Sequence, residues 1–211
     1  MKVTLVDYGI GNVYSVQRAL EACGAEVLLS GSPGVIETSD RLVLPGVGAF
    51  ADGMAGLRER GLIHSIVQYA ATGRPLLGIC LGMQMLTTVS QEFGKHSGLD
   101  LIPGSVLPLP TTDVNGLPMK VPHTGWTALL QPAGTSWLDT PLENTEESES
   151  VYVVHSFAVN PRDQSHRLAD CLYGGHRICA AIRRNRIFGC QFHPEKSGPS
   201  GLRIMSRFLA C

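Results

Sequence analysis

Four short apolar runs, Val3–Val6, Ala25–Leu29, Leu42–Leu44 and Pro75–Ile79, dominate the first ninety residues, and helical spacing separates them. Val13, Val16 and Leu20 fall on one helical face, and Gly24 suits the C-terminal cap. A longer helical stretch from Phe50 to Thr72 is broken near Gly61, and another helix is expected from Leu81 to Val89. This β-α-β-α alternation restricts the chain to an α/β fold whose mostly parallel central sheet carries helices on both faces. In such sheets chemistry gathers at the carboxyl ends of the strands. The second half reads as an antiparallel extension of shorter strands, Val121–Leu130, Val151–Val159, Leu168–Tyr173, Ile178–Arg183 and Ile187–Phe192, closed by a helix over Leu202–Leu209. Glu143–Ser150 is polar and acidic and reads as an exposed loop. The 211 residues contain no internal repeat and no long linker, so one domain spanning 1–211 is expected.

Composition removes several classes of function. A net charge of −1 gives no electrostatic footprint for nucleic acid or an anionic membrane. No run approaches the roughly 20 apolar residues of a membrane span, and Asp7 interrupts an opening too short for a signal peptide. A cytoplasmic protein is expected. Six cysteines occur without a C-x-x-C pair or an H-E-x-x-H motif, so neither a metal site nor a disulfide framework is expected. Five of the six read as small core residues; Cys80 differs.

Cys80 lies in Gly78-Ile79-Cys80-Leu81-Gly82, where a buried strand runs into a helix. This is the thiol form of a nucleophile elbow. The flanking glycines remove side chains that would collide in the tight turn. The helix start favours thiolate, and the Leu81 N–H faces the place where an oxyanion would form. The same five residues also fit a core thiol beside two packing glycines. A nucleophilic cysteine needs a base. His193, in Phe192-His193-Pro194-Glu195, ends an apolar strand, and in extended chain it shares a face with Glu195, which can fix the imidazole tautomer. Pro45-Gly46-Val47-Gly48 follows another strand, so its N–H groups can face the same cleft; an ordinary strand-to-helix turn fits it too.

With these motifs in view, the chain resembles the class I, or triad, glutamine amidotransferases. Within them it is similar to the glutaminase subunits of imidazole glycerol phosphate synthases. Asp7–Asn12, Leu44–Phe50, Gly78–Leu86, Val121–Trp126, Val154–Phe157 and Gly189–Ser197 carry that resemblance, in order and over nearly the whole chain. Thr124 and Phe157 depart from the usual Met and Tyr, and the proline-rich segment 107–118 has no counterpart to assign it a role. The resemblance implies a flavodoxin-like fold, no cofactor, and a Cys80–His193–Glu195 triad that hydrolyses glutamine through a thioester. It implies an oxyanion site at Val47, Gly48 and Leu81, and a glutamine pocket at Gln84, Glu92, Ser156 and Phe157. It places Asn12 and Trp126 toward a (β/α)₈-barrel cyclase, the other half of a heterodimer, which receives the ammonia. It also implies activation by nucleotide on the cyclase, through a turn of the Val47–Gly48 peptide. Three alternatives share part of the pattern: subunits serving pyridoxal phosphate, anthranilate or purine synthesis, a cysteine peptidase or amidase, and a non-catalytic binding subunit of the same fold.

Overall fold

The computed structural model describes residues 1–211. Its first half alternates β1 (Lys2–Val6), α1 (Val13–Ala22), β2 (Glu26–Ser30), α2 (Pro33–Thr38), β3 (Leu42–Leu44), α3 (Phe50–Glu59), α4 (Leu62–Ala71), β4 (Leu76–Ile79) and α5 (Leu81–Met85). Gly24 at φ +82° ends α1, and Gly61 at φ +68° separates α3 from α4, conformations that cost glycine little. Two features depart from the sequence reading. The short helix α2 was not expected; Pro33 at its first turn was the available signal. The helix after Cys80 stops at Met85 rather than Val89, because the β-branched run Thr87-Thr88-Val89 leaves it for a second sheet. Thr87 Oγ1 donates to the Gln84 carbonyl at 2.8 Å and helps close that end.

The second half contains β5 (Val89–Ser90), β6 (His96–Ser97), β7 (Gly104–Pro108), β8 (His123–Ala128), β9 (Ser150–His155), β10 (Phe157–Pro161), β11 (Arg167–Tyr173), β12 (His176–Arg184), β13 (Ile187–Cys190) and α6 (Gly198–Ala210). Seven strands form the central sheet in the order β11-β12-β13-β4-β3-β1-β2. The run from β13 to β2 is parallel, and β12 and β11 add antiparallel to its edge. Taken in chain order, the parallel strands follow the 2-1-3-4-5 order of flavodoxin-like sheets.

Period-two alternation divides the core between the two faces of the sheet. Val3, Leu5, Val43 and Leu77 pack with Val16 and Leu20 of α1 and Ile204 and Phe208 of α6. Val6, Leu42, Leu44 and Leu76 pack with Ile36, Leu57, Ile66 and Tyr69 of α2, α3 and α4. Val151–Val159 is two strands rather than the single one expected. The break at Ser156 sends β9 to pair with β8 and β10 to pair with β7 in a four-stranded sheet. β7 also uses the start of the proline-rich segment. Glu143 and Glu149, from the acidic loop, form ion pairs with Arg207 and Arg203 of α6, which starts four residues earlier than expected. No helix is long and apolar enough to cross a membrane.

Candidate active site

Strand β4 is buried throughout and delivers Cys80 to the carboxyl edge of the sheet. Cys80 stands at φ +54°, ψ −109°, a backbone region that a non-glycine residue enters only when its surroundings enforce it. They do so on both sides. The Cys80 N–H donates to the Cys190 carbonyl of the neighbouring parallel strand at 2.8 Å. A Cβ on Gly82 would lie 1.9 Å from the Leu44 carbonyl oxygen, and one on Gly78 would lie 2.7 Å from the Gly82 backbone. The turn can close only with glycine at both places. Leu81 opens α5, so its N–H has no acceptor within that helix and is free for a ligand.

Gly48, at φ +93°, brings the Val47–Gly48 peptide to the same edge. The preceding residues are clamped: Tyr8 donates its hydroxyl to the Pro45 carbonyl at 2.8 Å, and a Cβ on Gly46 would lie 2.6 Å from that hydroxyl. Beyond Gly46 the constraint ends, and Val47 is exposed.

His193 arrives from β13, the strand beside β4. Its N–H donates to the Tyr152 carbonyl at 2.9 Å, and its carbonyl accepts from Ser197 Oγ at 2.6 Å. His193 Nδ1 lies 2.8 Å from Glu195 Oε1, with the carboxylate side chain 1% exposed. Glu195 reaches this position in the 3₁₀ turn Pro194–Lys196, not by continuing the extended chain as the spacing suggested. With Nδ1 engaged by the carboxylate, Nε2 is the nitrogen left for Cys80. Burial opposes charge on His193, but the nearby Cys80 sulfur and the hydrogen-bonded Glu195 carboxylate outweigh it and raise its pKa to about 9. The ring is therefore poised to carry a proton at neutral pH.

These groups border one cleft of about 360 Å³. Val47, Gly48, Cys80, Leu81, Gln84, Glu92, Ser156, Phe157 and His193 all line it, and Glu195 stands behind His193. Asn12 and Trp126 do not. Asn12 precedes α1, and Trp126, on β8, is 60% exposed and edge-on to Tyr152. No group of three or more His, Cys, Asp or Glu side chains is arranged to hold a metal ion.

Two polar contacts in the cleft were not expected from the sequence. Glu92 Oε2 accepts the Phe50 N–H at 2.6 Å and so ties the cleft to the start of α3. Gln191 sits against the cysteine: its Nε2 lies 3.7 Å from Cys80 Sγ, and its Oε1 accepts from Gln84 Nε2 at 3.0 Å. The only sequence signal for Gln191 was its place two residues before His193.

The arrangement is a buried thiol, an imidazole with a carboxylate behind it, and free N–H groups beside the sulfur, the equipment of acyl transfer through a thioester. A family model, Glutamine amidotransferase class-I, matches residues 4–210. The chain belongs to this family. It is 51% identical over 208 residues to the imidazole glycerol phosphate synthase subunit HisH 1 of Legionella pneumophila (strain Paris), covering 98% of both chains. It is 43% identical over 209 residues, again 98% of both, to the HisH subunit of Syntrophotalea carbinolica. Among solved structures, that of PurLQS from Thermotoga maritima superposes with a TM-score of 0.74 over 99% of this chain and 97% of that one, at 21% identity. That likeness shows a shared fold alone.

Proposed function

We propose that this chain is the glutaminase subunit of an imidazole glycerol phosphate synthase, with Cys80, His193 and Glu195 as its triad. The observation that carries the reading is the buried Glu195–His193 hydrogen bond with Cys80 lining the same cleft as His193, in a chain similar from end to end to HisH subunits. Glutamine enters the cleft and Cys80 Sγ attacks its carboxamide carbon. The oxyanion that forms accepts from the Leu81 N–H and from the N–H of the Val47–Gly48 peptide. His193 passes its Nε2 proton to the amide nitrogen, the C–N bond breaks, and ammonia leaves a glutamyl thioester on Cys80. His193, now neutral, takes a proton from water. The hydroxide attacks the thioester, and glutamate departs as the thiolate returns. Glu195 holds the imidazole tautomer throughout and stabilises its cation.

Gln84, Glu92, Ser156 and Phe157 form the glutamine pocket in this proposal. Glu92 pairs with the substrate's ammonium group. Ammonia then passes to a (β/α)₈-barrel cyclase docked on the face that bears Asn12 and Trp126. There it completes imidazole glycerol phosphate and aminoimidazole carboxamide ribotide in histidine biosynthesis. Residues 1–211 act as one domain, and six free cysteines suit a reducing, cytoplasmic setting.

The test is glutamate release from glutamine by the purified chain, alone and with the barrel cyclase and its nucleotide ligand, with Cys80→Ala as control. The proposal expects strong stimulation by the cyclase that disappears in the variant. Activity indifferent to the cyclase would retain the glutaminase and remove the histidine-pathway assignment. No glutamate in any mixture would remove both.

A further inference from the structure

The Cys80 sulfur is the centre of the proposed chemistry, and only 8% of the residue is exposed. A thiolate there has little water to stabilise it and depends on protein donors. His193 is one. The other is Gln191, at the end of a chain of side-chain amides.

An amide's oxygen and nitrogen are told apart by what they must bond. A backbone carbonyl only accepts, so the Gln84 group 3.2 Å from the Phe157 oxygen is its NH₂. The same NH₂ lies 3.0 Å from the Gln191 side chain, which must present its oxygen there. Gln191 is then left with its own NH₂ toward Cys80 Sγ, at 3.7 Å. The order Phe157 carbonyl, Gln84, Gln191, Cys80 is a directional relay fixed at its far end by the main chain. Gln191 is 1% exposed and Gln84 6%, so neither amide is free to turn over in solvent.

We propose that Gln191 is a further catalytic residue, donating a hydrogen bond to the Cys80 thiolate in an orientation set by Gln84 and the Phe157 carbonyl. This rests on Cys80 being the nucleophile. The thiolate occurs twice in the cycle, as nucleophile before the thioester forms and as leaving group when water cleaves it. A fixed donor favours the charged sulfur at both moments and nothing comparable in the neutral thioester between them. Gln84 accordingly has a positioning role besides lining the glutamine cleft.

The loss of such a donor has a signature that a packing role lacks. Without it the sulfur keeps its proton to higher pH, by about one pH unit for a hydrogen bond to a charged group. The bare thiolate, once formed, is about threefold more nucleophilic per unit, because reactivity falls by less than the thiolate fraction gains. The two profiles must therefore cross.

The experiment is alkylation of the full chain by iodoacetamide from pH 5 to 10, following the Cys80 peptide by mass spectrometry. Gln191→Met keeps the length and removes the donor. It is expected to alkylate about threefold more slowly than wild type below the wild-type midpoint and about threefold faster above both midpoints, with the midpoint moved up. Gln191→Glu, matched in shape, replaces the donor with an oxygen and is expected to move the midpoint up further. Because its charge alone would also raise the midpoint, Gln191→Leu, uncharged and without a donor, decides the matter if the methionine variant unfolds, and is expected to show the same crossing profiles as Gln191→Met. Superimposable profiles in a folded variant would overturn the proposal, as would a uniform slowing at every pH. A wild-type chain that alkylates at Cys80 yet releases no glutamate counts against the function proposed above, while the alkylation profile still decides this inference.

Discussion

His193 and Glu195, two residues apart, form a buried hydrogen bond of 2.8 Å across a 3₁₀ turn, with the carboxylate's second oxygen left without a partner. The bond gives the imidazole a fixed tautomer. Glu195→Gln keeps the shape but can present an N–H to Nδ1, which turns the tautomer round, puts the neutral ring's proton on Nε2 and leaves no base facing Cys80. Glutaminase kcat is expected to fall about 10²- to 10⁴-fold with the fold intact. Steady-state kinetics beside a thermal melt check it, and a loss below tenfold would show that the carboxylate is dispensable.

His155 makes the acid side of the stability profile predictable. Its Nδ1 donates to the Phe157 carbonyl at 2.9 Å, and its pKa is pushed down to about 4, first by burial and then by the neighbouring His123 and His193. Its folded value lies below the unfolded one of 6.5, so the unfolded chain takes the proton first. Stability is lost as pH falls from 6.5 toward 4, by about 3 kcal/mol over the full interval. His193 has the opposite sign. Its stabilising contribution is complete below pH 6.5 and is lost as pH rises through about 9. His155→Asn is expected to flatten the drop in Tm between pH 7 and pH 5, read by scanning calorimetry. An unchanged slope would assign the acid sensitivity to other groups.

Local chemistry was legible in the sequence wherever neighbouring residues sufficed. Gly78, Cys80 and Gly82 announce the elbow because the clash each glycine avoids is with backbone brought there by the turn itself or by the adjacent strand. The alternation of short apolar runs announces the parallel sheet. What decides the site's geometry is tertiary. Cys190 pairs in register with Ile79, and that register, with the Tyr152 and Ser197 hydrogen bonds to the His193 backbone, brings His193 to the edge where Cys80 stands. The apolar run around Ser156 gives no sign of breaking, because both strands it contains are equally suited to burial. Gln191 reads as one polar residue near a strand end until the Gln84 side chain, 107 positions away in the chain, is seen to orient it.

Two glycines separate packing from backbone freedom. A Cβ on Gly82 would meet the Leu44 carbonyl at 1.9 Å, main chain at the centre of the sheet. Gly82→Ala is expected to cost about 3 kcal/mol, the upper end of overpacking. At this chain length that is a fall in Tm of roughly 10 °C. A Cβ on Gly48 would meet nothing within 4 Å, and only its φ of +93° resists substitution, at about 1–2 kcal/mol. Gly48→Ala should melt within a few degrees of wild type and yet lose about 10²-fold in glutaminase kcat through the displaced oxyanion donor. Unchanged basal and cyclase-stimulated rates in that variant would remove the Val47–Gly48 peptide from the mechanism.

Glu92 carries two assignments that one substitution can divide. Its Oε2 accepts the N–H of Phe50, the first residue of α3, so a carboxylate 42 residues away completes that helix start. Its place in the cleft makes it the partner of the substrate's ammonium group. Glu92→Gln retains an oxygen for the Phe50 N–H and removes the charge. If the ammonium is its partner, KM for glutamine rises about tenfold while kcat stays within a few-fold. Glutaramate, which is glutamine without the α-ammonium, should then be hydrolysed with unchanged kcat/KM by the variant. If Glu92 acts instead by holding the Gly48–Phe50 loop in place, the loss falls equally on both substrates and appears in kcat. An unaltered KM for glutamine would take Glu92 out of the pocket altogether, leaving its hydrogen bond to Phe50 as its whole contribution.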